Sequence, residues 1–321
     1  MNWRNAIEAA TDRISPHVRR TPVERARELG PNIWLKCENM QVTGSFKVRG
    51  GTNALLQLSG AEKANGVVTA SSGNHGMGLA HAAQQIGVPA TVFVPNHAAD
   101  AKVKSIQQMG VNVERVGDDC VETEAYARVM ATGKGQTYIS PYNDAAIIAG
   151  QGTIGHELYQ QIPKLDAVFV SIGGGGLISG VGAYLKAVNP DIEIIGCSPA
   201  ASPAMHACLD AGAIIDVRCR DTLSDATAGG VEKDAITFGI CQQVVDSSLL
   251  VGEADIAEAI RSTMNHHHML VEGAAGVAVA GYKQVAKQYQ NKTVAIVACG
   301  ANIGLETLKK VLQGGSRQRF G

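Results

Sequence analysis

The chain has no apolar run approaching the ~18 residues needed to cross a bilayer, so we expect no membrane span. It has almost no net charge. With 28 Lys and Arg against 29 Asp and Glu, the formal charge is −1. That balance gives no sign of nucleic acid or an anionic membrane as a partner. It has no Cys-x-x-Cys pair. The seven cysteines, Cys37, Cys120, Cys197, Cys208, Cys219, Cys241 and Cys299, are scattered and odd in number. This argues against both a zinc site and a disulfide framework. The opening Met1-Asn2-Trp3-Arg4-Asn5 is polar and leads into no apolar signal core. No internal repeat, low-complexity tract or long linker interrupts the sequence. What is present is a globular mixture, 45% apolar and 18% charged over 321 residues. That is long enough for two domains with cores of their own. We expect a cytoplasmic protein in a reducing compartment.

Strand and helix patterns alternate along the chain. Ile7, Ala10, Ile14 and Val18 recur at helical spacing until Arg20-Thr21-Pro22. Residues 32–37 alternate as a strand, and 52–58 read as a helix. Further strands are expected at 66–70, 90–94, 111–116, 136–140, 166–172, 192–197 and 293–298. Further helices are expected at 75–86, 98–109, 121–131, 146–161, 177–188, 203–211, 234–244, 254–268, 275–289 and 305–312. Gly, Pro and Asn mark the joints. The alternation implies an α/β protein of mostly parallel sheets flanked by helices. The strands are too many for one small sheet, so two lobes are expected. Residues 1–50 and 144–321 would form the larger lobe and 51–143 a smaller α/β insertion. Ligands in such folds sit beyond the carboxyl ends of the strands, where the glycine-rich runs fall.

Five segments carry chemistry. In Thr43-Gly44-Ser45-Phe46-Lys47-Val48-Arg49-Gly50-Gly51 the glycines admit a ligand close to the backbone, and Phe46 adds a flat apolar face. Lys47 there reads either as a desolvated lysine whose free amine could form a Schiff base or as a surface lysine in a glycine turn. Ser71-Ser72-Gly73-Asn74-His75-Gly76 lies between a strand and a helix. Its residues read either as an anion-binding helix start with added side-chain donors or as a cap and turn. The four glycines Gly173, Gly174, Gly175 and Gly176 follow a buried strand and read as an amide cradle for a phosphate. A dinucleotide-binding loop would want an acidic residue at the end of the next strand, which instead reads Ser198-Pro199, so a single phosphate is favoured. Cys299 ends the last apolar strand, as a thiol facing the cleft or as an inert core cysteine. Glu272, in an apolar stretch, is either a helix-start carboxylate or a buried one. His266-His267-His268 are consecutive helical positions that cannot share one metal.

These segments resemble the fold-type II pyridoxal-phosphate enzymes, specifically the serine/threonine dehydratase and serine racemase family. The landmarks are Lys36-Cys37-Glu38-Asn39, the Lys47 run, the Ser71 to Gly76 run, Ala149-Gly150-Gln151-Gly152-Thr153, and the four glycines. They occur in family order across nearly the whole chain. The resemblance implies a two-lobed fold with pyridoxal 5′-phosphate in the cleft between lobes. Lys47 would hold the cofactor as a Schiff base and move the Cα proton, and Phe46 would pack nearby. Asn74 would hydrogen-bond the ring 3′-hydroxyl, and the four glycines would bind the phosphate. Ser71, Asn74 and His75 would grip the substrate carboxylate. Cys299 would face the pyridine nitrogen, where relatives place serine or threonine. A homodimer is implied too.

The implied reaction is β-elimination, converting serine, threonine or another 3-hydroxy amino acid to a 2-oxo acid and ammonia. Ser72 stands where serine racemase has its second proton-transfer residue, so racemisation is the alternative. A β-replacement synthase and a catalytically dead ligand-binding protein are lesser ones. Cys197-Ser198-Pro199-Ala200-Ala201-Ser202 lacks the acidic metal ligands of serine racemase, so no metal is expected. Ala226 replaces the glycine that often follows Asp225. Ser140-Pro141-Tyr142-Asn143 replaces the more usual His-Pro opening, which bears on substrate choice. The short stretch after the last expected helix suggests no regulatory domain.

Overall fold

The computed structural model describes residues 1–314. Among the described residues, ten strands form two sheets. They are β1 (Val23–Arg25), β2 (Ile33–Lys36), β3 (Val67–Ala70), β4 (Ala90–Val94), β5 (Asn112–Arg115), β6 (Thr137–Tyr138), β7 (Ala167–Ser171), β8 (Glu193–Pro199), β9 (Ser247–Val251) and β10 (Val294–Val297). The larger sheet runs β1-β2-β10-β7-β8-β9, and the smaller runs β5-β4-β3-β6. Every pairing is parallel except β1 with β2, where Val23 faces Lys36. Strands β7 and β10 are buried at every position. They read as unbroken apolar runs because helices cover both faces of a parallel sheet.

The expected alternation holds, with informative departures. The first helix is Trp3–Ile14 and stops short of Val18. Pro16 has no N–H to continue the ladder. The helix expected at 52–58 begins at Lys47 and runs to Gln57. Gly50 and Gly51 read as a turn, yet here they permit contact. A Cβ at Gly150 would lie 2.6 Å from the Gly50 Cα, so the helices Lys47–Gln57 and Ala145–Gln161 touch backbone to backbone. Tertiary packing overrides local propensity. The edge strands β1 and β9 and the short helix Gly60–Asn65 have no counterpart in the sequence pattern. Among the described residues, no helix is long and apolar enough to cross a membrane.

The arrangement brings the carboxyl end of β3 in the smaller sheet opposite those of β7 and β10 in the larger. Hydrogen bonds from Asn74 to Glu272 and from Lys47 to Pro141 join the two sides.

Candidate active site

Lys47 is the first residue of its helix, and Phe46 is the N-cap. The Lys47 Nζ makes one hydrogen bond, to the Pro141 carbonyl at 2.7 Å. It also lies 5.4 Å from the centre of the Phe46 ring. Burial pulls its pKa down to about 8, because desolvation penalises the ammonium. More of the neutral, nucleophilic amine is therefore present near neutral pH than for an exposed lysine. The other lysine of this region, Lys36, is fully buried and committed to Thr21 O, Gln161 Oε1 and Glu157.

The helix Asn74–Ile86 starts opposite Lys47. Its first amides, from Asn74, His75 and Gly76, have no intrahelical acceptor, as at any helix start. Ser71 Oγ accepts from the Gly73 amide at 3.2 Å and so caps the turn. Ser72 is half-buried, and its hydroxyl has no protein partner among the described residues. The His75 ring is buried with Nε2 3.3 Å from the Ile139 carbonyl, so Nε2 carries the hydrogen and Nδ1 is an unpartnered acceptor. Burial, with Lys47 nearby, lowers its pKa to about 3 and keeps the ring neutral. In this tautomer the ring has no free N–H to offer a carboxylate. Thr43 Oγ1 and Ser45 Oγ are also buried without partners.

The four glycines follow β7 and lead into the helix Gly176–Val188. Gly175 is the N-cap with φ 87, a left-handed conformation suited to glycine. The amides of Gly173, Gly174 and Gly175 have no protein acceptor among the described residues. The loop is walled. A Cβ on Gly174 would lie 2.6 Å from three atoms of the Tyr142 ring, and one on Gly173 would lie 2.9 Å from the Thr227 Cα. Tyr142 is braced in turn, its hydroxyl accepting from the Glu232 amide at 3.0 Å.

Cys299 follows β10, buried, with Ser171 Oγ donating to its Sγ at 3.6 Å. Burial, and then the nearby Glu272 carboxylate, pushes the thiol up, so Cys299 stays protonated rather than becoming a thiolate. Glu272 caps the helix Gly273–Val285 and is 2% exposed. It accepts from Asn74 Nδ2 at 2.8 and 3.0 Å and from the Asn302 amide at 3.2 Å. This ties the sequence-level question about Glu272 to the site itself.

Beneath Lys47 lies a group whose joint role the sequence did not reveal. Arg49 donates to Glu38 at 2.8 Å from both Nε and Nη2, to Glu157 at 2.7 and 3.1 Å, and to Thr153 at 3.1 Å. Lys36 bonds Glu157 as well, and Thr21 bonds Glu38. Two cations balance two carboxylates in a buried cluster. It locks the helix Lys47–Gln57 onto β2 and the helix Ala145–Gln161. All four residues lie in or beside the family landmarks, but single-sequence reading could not pair positions over 100 residues apart.

A family model described as "Pyridoxal-phosphate dependent enzyme" matches residues 14–300. The chain belongs to the pyridoxal-phosphate dependent enzymes. It is 38% identical to an L-threonine ammonia-lyase of Geobacter sulfurreducens over 315 residues, 96% of this chain and 78% of that protein. Its fold superposes on processed threonine deaminase isoform 2 from Solanum lycopersicum with a TM-score of 0.92 at 32% identity, covering 97% of this chain and 86% of that one. A maize serine racemase structure gives 0.90 at 30% identity, with 97% of both chains covered.

The residues fit the cofactor. The cradle offers unclaimed amides and excludes any Cβ, which suits a phosphate. Lys47 offers an amine held only by the Pro141 carbonyl. The orphaned hydroxyls of Thr43 and Ser45 lie in the segment leading to Lys47. Among the described residues, no group of three or more His, Cys, Asp or Glu side chains is placed to share a metal ion.

Proposed function

We propose that the protein is an ammonia-lyase that removes water from a 3-hydroxy amino acid and releases ammonia and a 2-oxo acid. The observation that carries this reading is Lys47, a partly neutral amine with a single carbonyl contact, set between unclaimed donors of two strand ends. Bound through Lys47, pyridoxal phosphate would supply the electron sink that acidifies the substrate Cα–H and allows the β-hydroxyl to depart. Lys47 Nζ takes the Cα proton on its own face of the substrate. The loop of Ser71, Asn74 and His75 holds the substrate carboxylate through the free amides at the start of Asn74–Ile86. Gly173, Gly174, Gly175 and Gly176 hold the phosphate. Asn74 would donate to the ring 3′-hydroxyl, and Phe46 would pack against the cofactor. Cys299 would face the pyridine nitrogen as a neutral thiol.

The two sheets support a division into a lobe of residues 1–50 and 144–321 and a lobe of 51–143, with the cleft between them as the reaction site. The free state of all seven cysteines suits a cytoplasmic setting, and we take the working unit to be a homodimer. Serine, threonine, 3-hydroxyaspartate and phenylserine are the substrates to test. Release of 2-oxo acid and ammonia from one of them is the expected result, and no release from any 3-hydroxy amino acid would overturn the reading.

Gly174→Val tests the cradle. Its Cβ would meet the Tyr142 ring, and overpacking of this kind typically costs ~1–3 kcal/mol. Cofactor affinity should fall roughly 10- to 100-fold, read by fluorescence titration of the apoprotein. An unchanged dissociation constant would remove the phosphate assignment.

Racemisation is the second reading, favoured by the unpartnered Ser72 hydroxyl. If Ser72 reaches the face opposite Lys47, L-serine should exchange its Cα hydrogen with solvent and give some D-serine. Ser72→Ala should then abolish the D-product and spare most elimination of the L-isomer. General-base assistance is worth ~10²–10⁴-fold, so chiral chromatography will resolve the loss. Recovered L-serine without deuterium, and no D-serine from the unaltered enzyme, would leave Ser72 as a loop residue only.

A further inference from the structure

Asn74 is committed on both sides. Its Nδ2 faces both oxygens of Glu272, at 2.8 and 3.0 Å, and its Oδ1 accepts from Asn302 Nδ2 at 2.7 Å. The second hydrogen of Asn302 Nδ2 goes to the Thr43 carbonyl at 2.9 Å. The Thr43 carbonyl can only accept, so the Asn302 amine donates to Thr43 and Asn74 alike, whichever protonation state Glu272 holds. The Asn74 carboxamide therefore has one chemically consistent orientation. Seen from Nδ2, the two oxygens of one carboxylate lie too close together for each to meet a separate amide hydrogen. One Asn74 N–H is thus used by Glu272, and the other has no protein acceptor among the described residues. The backbone is shaped around this clamp. A Cβ on Gly300 would lie 2.5 Å from Glu272 Oε1, and one on Gly44 would lie 2.7 Å from Asn302 Oδ1.

Resting on the assignment of Asn74 to the cofactor's ring oxygen made above, we propose that Glu272 and Asn302 are positioning residues. They hold the Asn74 carboxamide so that it offers the cofactor one N–H and never its carbonyl oxygen. An asparagine free to turn would present either a donor or an acceptor to that ring oxygen. The acceptor would repel the ring oxygen whenever it carries negative charge. Glu272 does not reach the cofactor in this account. It acts through Asn74, and its burial, which lifts its pKa to about 7, reflects how little water shares the clamp.

The test compares Glu272→Gln, Asn302→Ala and Asn74→Ala, with the double variant Asn74→Ala/Glu272→Gln. Each is read as apoprotein for cofactor dissociation constant and thermal midpoint, then as holoenzyme for absorbance. Glutamine keeps the volume of Glu272 but can donate, so it no longer dictates the orientation of Asn74. Glu272→Gln should weaken cofactor binding roughly 10-fold, the scale of one charge-assisted hydrogen bond. It should also change the balance of the bound cofactor's absorbance bands, which a purely structural defect would leave alone. The double variant should bind no worse than Asn74→Ala alone, because Glu272 has nothing left to act through. Additive losses, or unaltered affinity and bands in Glu272→Gln, would overturn the proposal while leaving the Asn74 assignment intact. Unaltered affinity in Asn74→Ala would overturn that assignment and the proposal together. Should Glu272→Gln fail to fold, Asn302→Ala releases the other side of Asn74 and should reproduce the band change. If it leaves the bands unchanged, the clamp has no such role.

Discussion

Lys47→Ala should abolish turnover and the absorbance of lysine-linked cofactor together, while leaving the apoprotein folded. The expectation follows from how differently the two lysines near the cleft are used. Lys36 spends its three hydrogens on Thr21, Glu157 and Gln161 inside the protein. Lys47 has only the Pro141 carbonyl, and its amine is held near a pKa of about 8 by desolvation. Removing it costs the fold one hydrogen bond to a carbonyl, about 1 kcal/mol on typical scales. Its loss removes both the covalent anchor and the base for the Cα proton. The base alone is worth ~10²–10⁴-fold, so activity should drop below detection once the anchor is gone as well. Borohydride reduction followed by peptide mapping locates the anchor directly. A pyridoxyl group found on Lys36 would reverse the assignment.

Most of the layout was legible from the sequence because parallel strands buried on both faces leave a loud apolar signal. Strand β4 and the long helix Ala145–Gln161 came through nearly residue for residue. Short edge strands did not. In β9, Ser247 and Ser248 open a strand at the sheet's edge, so neither an apolar run nor alternation marks it. The site divided along a different line. Residues announced by local composition, such as Lys47 among glycines or the run Gly173 to Gly176, were visible. Residues whose role is a long-range pairing were not. Glu272 meets Asn74 across 198 positions, and nothing local separates it from an ordinary helix cap. His75 shows the reverse limit. Its place in the loop was evident, but the Ile139 carbonyl that fixes its tautomer is visible only in three dimensions.

Arg49→Met should be among the most destabilising single changes in the protein. Arg49 is fully buried and holds Glu38 through two nitrogens and Glu157 through two more contacts. A methionine of similar reach would fill the space but leave Glu38 with only Thr21 as a close partner. Removing one member of a buried ion pair typically costs about 3–5 kcal/mol, because the remaining charge stays desolvated. Chemical denaturation of the apoprotein measures the loss, and Arg49→Lys should recover only part of it, since a point charge cannot bridge both carboxylates. The loss should also depend on pH in a defined direction. In the native protein burial favours protonation of Glu38, but Arg49 and then Lys36 outweigh it, so its folded pKa lies below the usual value. That contribution to stability is present above the unfolded carboxylate pKa and disappears as pH falls through the folded one. Without Arg49, burial should prevail and raise the folded pKa above the unfolded one. Protonation would then favour the folded variant, so the gap between it and the unaltered protein should narrow as pH falls from neutral toward the carboxylate range. A gap that stayed constant across that range would mean the cost is one of packing and not of an unpaired Glu38 charge.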